Sequence, residues 1–292
     1  MRRFRYPPAA RWFKGNTHIH SIASDGGLDF PALADLYAGA GYDFLFRTDH
    51  WVASDAANDA TAYPLLWLDG VELDGRDQEG ALYHVVVLGR VTGIRREDGF
   101  MAALAAARAQ GALLILAHPH WCANTLADAR RHGFDGVEVY NHVCRWLNGK
   151  GEGGAYWTNM LEHDSATLGL AVDDAHIRAE HPGWNGGWIM VAAAERTPAA
   201  ILSALRAGHF YSSCGPVIHD IAYDGRRISI ETSPVQFARL VGPNSHGQRV
   251  GSFDGRRLTS AAFDVPDDWR YMYLEVEDGQ GRRAWTNHLF VE

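Results

Sequence analysis

The chain has 292 residues, enough for one large and one small domain, and its 47% hydrophobic content with ten tryptophans allows a sizeable core. A formal charge of −8 argues against general affinity for a nucleic-acid polymer or an anionic membrane, but not against a small anionic substrate beside a metal. Three cysteines with no CxxC pair suit a reducing compartment, and no apolar run approaches membrane-spanning length. The opening MRRFRYPPAARWFKG lacks the apolar region of a signal peptide, so a cytoplasmic protein is expected.

Residues 16–51 organise the reading. His18 and His20 are one residue apart after a short extendable run, so both imidazoles can reach one point. Asp25 follows in a glycine-bearing turn. Residues 29–40 have an Asp-x-Pro start, a helical apolar pattern (Phe30, Leu33, Leu36, Tyr37) and a stop at Gly39. A second apolar run, 42–46, leads to His50. Imidazoles and a carboxylate at successive strand ends make a nitrogen/oxygen site for a divalent first-row ion. HxH alone is weak, since two strand histidines can be ordinary surface or satisfied core. Its recurrence along later runs is what carries weight.

Those runs come in order. Residues 65–73 read as a buried strand carrying Glu72, and 81–89 as a β-branched strand carrying His84, where a buried structural histidine is the alternative. A helix over about 98–110 stops at Gly111, and GALLILAHPH ends in His118, Pro119 and His120. A helical piece over about 124–132 leads into FDGVEVYN with Glu138 and Asn141. Residues 142–154 are glycine-rich and read as irregular, either a connector or a substrate loop. A helix near 155–163 precedes ATLGLAVDDAH, which carries Asp173, Asp174 and His176. GWIMVAAAE is a further strand, and 198–207 a helix capped by Gly208.

Some eight apolar runs alternating with helices indicate parallel β/α units, and their continuous apolarity says both faces are covered. Polar residues at the ends of several consecutive runs favour a barrel with its site on that rim over an open sheet with one switch point. From about Phe210 the pattern changes to short β-type runs with turn signals, such as Asp224-Gly225 and Asp254-Gly255, and no helical segment. The division expected is a barrel over 1–215 and a small all-β, sandwich-like domain over 216–292.

The ordered set of HxH, Asp25, TDH ending at His50, Glu72, His84, AHP with His118, and DxH at Asp174 and His176 resembles the PHP (polymerase and histidinol phosphatase) superfamily. The likeness is to its metal-dependent phosphoesterases and the CehA/McbA-like branch, and GVEVYN and ALRAGHFYSSCGP share it. The resemblance implies a distorted (β/α)7 barrel with two or three divalent ions, and the nitrogen/oxygen ligand set suits Mn, Fe or Zn. It assigns His18, His20, Glu72 and Asp174 to one ion, Glu72 as a bridge to a second held by His84 and His118, and Asp25, His50 and His176 to a third. Relatives that cleave nucleic-acid ends carry a long insertion before the AHP strand. His84 and His118 are only 34 residues apart here, so that specificity is not transferred.

The function expected is a metal-dependent phosphoesterase acting on a small phosphorylated molecule through a metal-bound hydroxide, with Glu72, His118 and His176 as catalytic residues. Arg47, Arg145, Lys150 and Arg178 lie near motifs and are candidates for phosphate or carboxylate contact, surface solvation being the alternative. Asp49 and Asp173 neighbour ligands and are expected to orient them, while Glu138 and His142 are left open. Two other readings stand beside this one. The first is a carbamate, ester or amide hydrolase on the same site; the second is a metal-binding protein without turnover.

Overall fold

The computed structural model describes residues 2–6 and 11–291. The chain begins with β1 (Arg3–Phe4), β2 (Arg11–Asn16), α1 (Phe30–Gly39), β3 (Phe44–Arg47), β4 (Leu66–Arg76) and β5 (Leu82–Leu88). Then come α2 (Phe100–Ala109), β6 (Leu113–Leu116), α3 (Leu126–Arg131), β7 (Gly136–Asn141), α4 (His142–Asn148), α5 (Gly154–Leu161) and β8 (Leu168–Val172). β9 (Trp188–Ala193), α6 (Pro198–Arg206), β10 (Phe210–Ser213), β11 (Ile218–Tyr223), β12 (Arg227–Val235) and β13 (Phe237–Val241) follow. The last strands are β14 (Gly247–Gly251), β15 (Leu258–Asp264), β16 (Tyr273–Glu277), β17 (Arg283–Thr286) and β18 (Phe290–Val291). No described helix is long and apolar enough to cross a membrane.

A 13-stranded sheet runs β14-β13-β16-β17-β10-β9-β2-β3-β4-β5-β6-β7-β8. Strands β2 to β8 are thus neighbours in space as in sequence. An isolated parallel bridge between Ile19 and Ala175 joins the extension of β2 to that of β8. Their apolar runs are continuous because each strand serves two cores. Val85 and Val87 pack with Phe100 and Leu104 of α2, whereas Val86 and Leu88 pack with Phe44, Phe46 and Ile115. α1 starts where Asp29 accepts a hydrogen bond from the Ala32 amide at 2.9 Å and buries Leu33, Ala34 and Tyr37.

Two strands depart from the parallel pattern expected of β/α units. β5 is antiparallel to both β4 and β6, and β9 is antiparallel to β2. Only residues 77–81 separate β4 from β5, and a parallel crossover needs a dozen or more. Asp77 closes this turn, accepting from the amides of Glu79 and Ala81 at 3.1 and 2.9 Å. The reversal puts the start of β5 on the same rim as the end of β4, with His84 opposite Asp74.

Residues 142–154 are not irregular throughout, since α4 occupies their first half. Asn141 caps it, accepting from the Cys144 amide at 2.9 Å, and Gly149 ends it in the left-handed region at φ 78°. Gly151 and Gly153 serve close packing rather than motion. A Cβ at either would lie 2.2 Å from Asn141 O or 1.9 Å from Glu138 O.

After α6 the described chain is strands and turns. β11-β12-β15 form a separate three-stranded sheet, and its Ile218, Ile228 and Ile230 share a core with Leu240, Leu274 and Val276 of the large sheet. Hydrogen bonding continues across position 215, since β10 pairs with both β9 and β17. The first strand also joins this region. β1 pairs with β18, and Tyr6 donates to Phe210 O at 2.7 Å while accepting from the Asn287 amide at 2.9 Å.

Candidate metal centre

The nine expected ligands, His18, His20, Asp25, His50, Glu72, His84, His118, Asp174 and His176, come together at the rim formed by the ends of β2 to β8. Their donor atoms fall into overlapping groups: His20/Asp25/His50/His176, His18/Glu72/His118, His18/His20/Asp174 and His50/Glu72/His84. The HxH stretch behaves as an extended strand requires. Thr48 Oγ1 bonds both the amide and the carbonyl of intervening Ile19, at 2.9 and 2.8 Å, and His18 Nε2 and His20 Nε2 lie 3.2 Å apart.

Glu72 occupies the centre and is buried. Its Oε1 is 2.8 Å from His84 Nδ1 and 3.5 Å from His118 Nε2. Its Oε2 is 3.1 Å from His18 Nε2, 3.2 Å from His20 Nε2 and 3.3 Å from His50 Nδ1. Despite these contacts Oε2 accepts no well-formed hydrogen bond, and His20 Nδ1 and His50 Nδ1 are buried and equally unpartnered. Buried polar atoms normally find partners. Orphans of both kinds converging on one spot fit divalent ions, and a set of imidazoles and carboxylates is the donor chemistry such ions take.

Two of the expected ligands have backbones in the left-handed region, His118 at φ 28° and Asp174 at φ 57°. Such a conformation costs about 1–3 kcal/mol in a non-glycine residue and persists where the surroundings over-determine it. Here the His118 amide donates to Glu138 Oε2 at 2.8 Å and the Asp174 amide to His18 O at 2.9 Å. Asp174 Oδ1 then sits 3.1 Å from His20 Nε2 and 3.3 Å from His18 Nε2. His176 Nε2 is 3.2 Å from Asp25 Oδ2, and its ring stacks on His20 at 4.3 Å.

Electrostatics reinforces the pairing. Burial alone would discharge the imidazoles, but Asp174, Glu72 and Glu138 outweigh it and hold His18 well above its ordinary range. Asp174 and Glu72 raise His20 to about 9 against the same penalty. Burial would likewise raise Glu72 and Asp174, yet the facing imidazoles hold both carboxyls well below theirs. A divalent ion satisfies the same carboxylates in place of those protons.

A supporting layer fixes the ring. Glu138, left open by the sequence, stands behind His18 with Oε1 2.6 Å from Nδ1, which turns Nε2 toward the centre. It belongs to no donor group among the described residues, and neither does His142, whose Nδ1 lies 3.1 Å from Tyr140 OH. Asp49 orients no imidazole directly. It accepts from the Ser21 amide at 2.8 Å and from Ser21 and Ser24 hydroxyls at 2.7 Å, tying down the turn that carries Asp25. Asp173 accepts from Asn16 Nδ2, Tyr37 OH and the amides of 185–187, again shaping the backbone.

Two residues near the ring were missed. Asp74 Oδ1 is 3.2 Å from His50 Nδ1, and its position two residues beyond Glu72 on one strand was the available signal. The Cys144 thiol joins His118 and Asp174 in a further donor group; burial and neighbouring carboxylates push its pKa up. Its placement depends on α4, which the glycine-rich composition concealed.

The ring opens into a pocket of about 180 Å³ walled by Trp121, Val143, Leu147 and His181, with no Lys or Arg among its described lining residues. The four expected substrate-contacting cations are therefore elsewhere. Arg47 is buried against Phe30, 4.1 Å from the ring centre, and paired with Asp59. Lys150 is exposed and outside the pocket, Arg178 faces Glu180 at 3.5 Å, and Arg145 lines a different cavity. Each lies near a motif in sequence, but none of the four is among the described residues that line the ring pocket.

No family model matches the chain, and no curated protein matches it. Among solved structures it is similar to a two-domain protein from Bacteroides vulgatus containing a predicted PHP-like metal-dependent phosphoesterase. That likeness has 14% identity and a TM-score of 0.54, over 98% of each chain. A candidate metal-dependent phosphoesterase from Bifidobacterium adolescentis aligns at 17% identity and a TM-score of 0.45, over 61% of this chain and 91% of its own. At such identities the first likeness speaks for fold alone, and it spans both parts of the molecule. In fold, this chain is similar to that two-domain protein over nearly its whole length.

Proposed function

We propose that the protein is a metal-dependent hydrolase that cleaves a phosphoester of a small molecule. In this reading β2 to β8 form a distorted seven-stranded barrel within residues 1–215, and residues 216–292 form a β-sandwich. The observation that carries the reading is Glu72 Oε2, within 3.3 Å of three imidazoles and bonded to none of them.

His18, His20, Glu72 and Asp174 would hold one ion, Glu72 with His84 and His118 a second, and Asp25, His50 and His176 a third. Bound Mn, Fe or Zn would supply a water of lowered pKa and neutralise charge on the phosphoryl oxygens. The chain's own part is positioning. Glu138 locks the His18 ring, and the Asp49 network holds Asp25. Seven of the nine expected ligands line the pocket, and among them Glu72, His118 and His176 are the groups assigned contact with the reacting atoms. Trp121, Val143 and Leu147 would give the bound molecule an apolar wall.

A pocket without Lys or Arg also favours a second reading, a carbamate or ester hydrolase, because a neutral carbonyl substrate needs no cationic clamp. Metal-loaded protein offered p-nitrophenyl phosphate, bis-p-nitrophenyl phosphate and aryl carbamates separates the two. Turnover of a phosphate ester, lost on chelation, is the expected result. Turnover of carbamates alone selects the second reading, and no turnover of any probe in fully loaded protein overturns both.

A further inference from the structure

A larger cleft, of about 510 Å³, lies beside α4 away from the donor ring. The helix separates the two spaces: Val143 and Leu147 face the ring pocket, while His142 and Arg145 line the cleft. Arg282 of the turn between β16 and β17, Arg283 at the start of β17, Lys14 of β2 and Trp188 of β9 line it too. Four cations therefore line one space against a single carboxylate, Glu152, in a chain of net charge −8.

Pairing accounts for only two of them. Arg283 Nη2 is 2.5 Å from Glu152 Oε2, and Arg282 Nε is 2.8 Å from Asp278 Oδ2. The Arg145 guanidinium makes no hydrogen bond or ion pair among the described residues. Lys14 Nζ reaches only neutral oxygens, Ala40 O at 3.3 Å and Asn185 Oδ1 at 3.2 Å, and lies 3.9 Å and 4.6 Å from the Tyr42 and Trp188 rings. Burial pushes its pKa down, outweighing the opposite pull of the Asp173 charge. Gly186 packs directly on the His142 ring, which a Cβ there would strike at 2.1 Å, so this wall is close-packed.

We propose that this cleft binds a small phosphate group between Arg145 and Lys14, as a site distinct from the metal centre. The planar guanidinium engages two oxygens of a tetrahedral anion, and the ammonium supplies a point charge to a third. Inorganic phosphate and a phosphoryl group carried on a larger molecule share this chemistry. Methylphosphonate, which mimics the esterified group and resists hydrolysis, distinguishes the sources.

The test is calorimetric titration of metal-loaded protein with inorganic phosphate and with methylphosphonate, in wild type, Arg145→Ala, Lys14→Met and a control, Arg130→Ala, far from the cleft. One class of sites should weaken about tenfold or more in Arg145→Ala and Lys14→Met. The control, the metal content and the thermal midpoint of Arg145→Ala should stay unchanged. Heat from phosphate but not methylphosphonate assigns the cleft to the free ion; heat from both assigns it to a phosphoryl group. Identical isotherms in wild type and Arg145→Ala overturn the proposal. A raised KM in Arg145→Ala with no class of binding lost also overturns it, by making Arg145 a substrate contact of the ring. The readout is heat, so it stands whether or not the phosphoesterase reading does.

Discussion

At the rim of the large sheet, His18 and His20 face Glu72, Asp174 and Glu138, and those carboxylates raise both imidazoles against the cost of burial. In the carboxy-terminal strands His288 is also buried, but it meets the Met272 amide at 3.0 Å and the charges of Arg5 and Arg2. Burial, with those cations adding to it, depresses its pKa to about 4. One residue type at similar burial is thus a paired, ion-accepting group in one region and a neutral structural acceptor in the other. The lesson is that company, not histidine number, identifies a metal site.

Exchanging that company should matter most at Glu72, whose carboxylate lies within 3.5 Å of the His18, His20, His50, His84 and His118 rings. Glu72→Gln should lower kcat/KM by about 10³-fold and release more metal than His84→Ala, measured by steady-state kinetics and metal analysis of the purified variants. Near-normal turnover with full occupancy would end the central role given to Glu72. Glu138→Gln acts one layer back, through the His18 ring, and should weaken metal affinity by about 10–100-fold in chelator competition.

The contrasting histidine makes its own prediction about pH. His288 titrates near 6.5 when unfolded and about 4 when folded, so the unfolded chain takes up a proton first as pH falls. Its contribution is complete above about 6.5 and lost on acidification toward 4, amounting to about 3 kcal/mol at most. Denaturant midpoints followed across that range should fall in the wild type and fall less steeply in His288→Asn. Parallel curves would remove His288 from the account. The smallest effect belongs to Lys150→Ala, which should leave KM within about twofold, because the side chain is exposed and outside the ring pocket.

Much of the rim was legible because its ligands end apolar runs, and a strand's period of two fixes which side chains share a face. His18 with His20, and Glu72 with the overlooked Asp74, are read by that rule alone. What stayed hidden depends on contacts between distant segments. The reversal of β5 is written in the short 77–81 link, but which rim His84 joins follows only from the pairing of β4 with β5 and β6. α4 escaped because its cap is a side chain, Asn141, at the end of a strand, and the glycines after it suggested a loop. The directions of Arg47, Arg145, Lys150 and Arg178 were beyond reach for a simpler reason. Nearness to a motif in sequence says nothing about which side of an element a long side chain leaves.

The account turns on ions that the ring's orphaned nitrogens and oxygen fit. Inductively coupled plasma mass spectrometry on wild type and Glu72→Gln, each purified and then reloaded with Mn, Fe or Zn, tests it most directly. Two or three divalent ions per wild-type chain, with fewer in the variant, is the result expected. A wild-type chain that neither carries nor takes up any of these metals would contradict it.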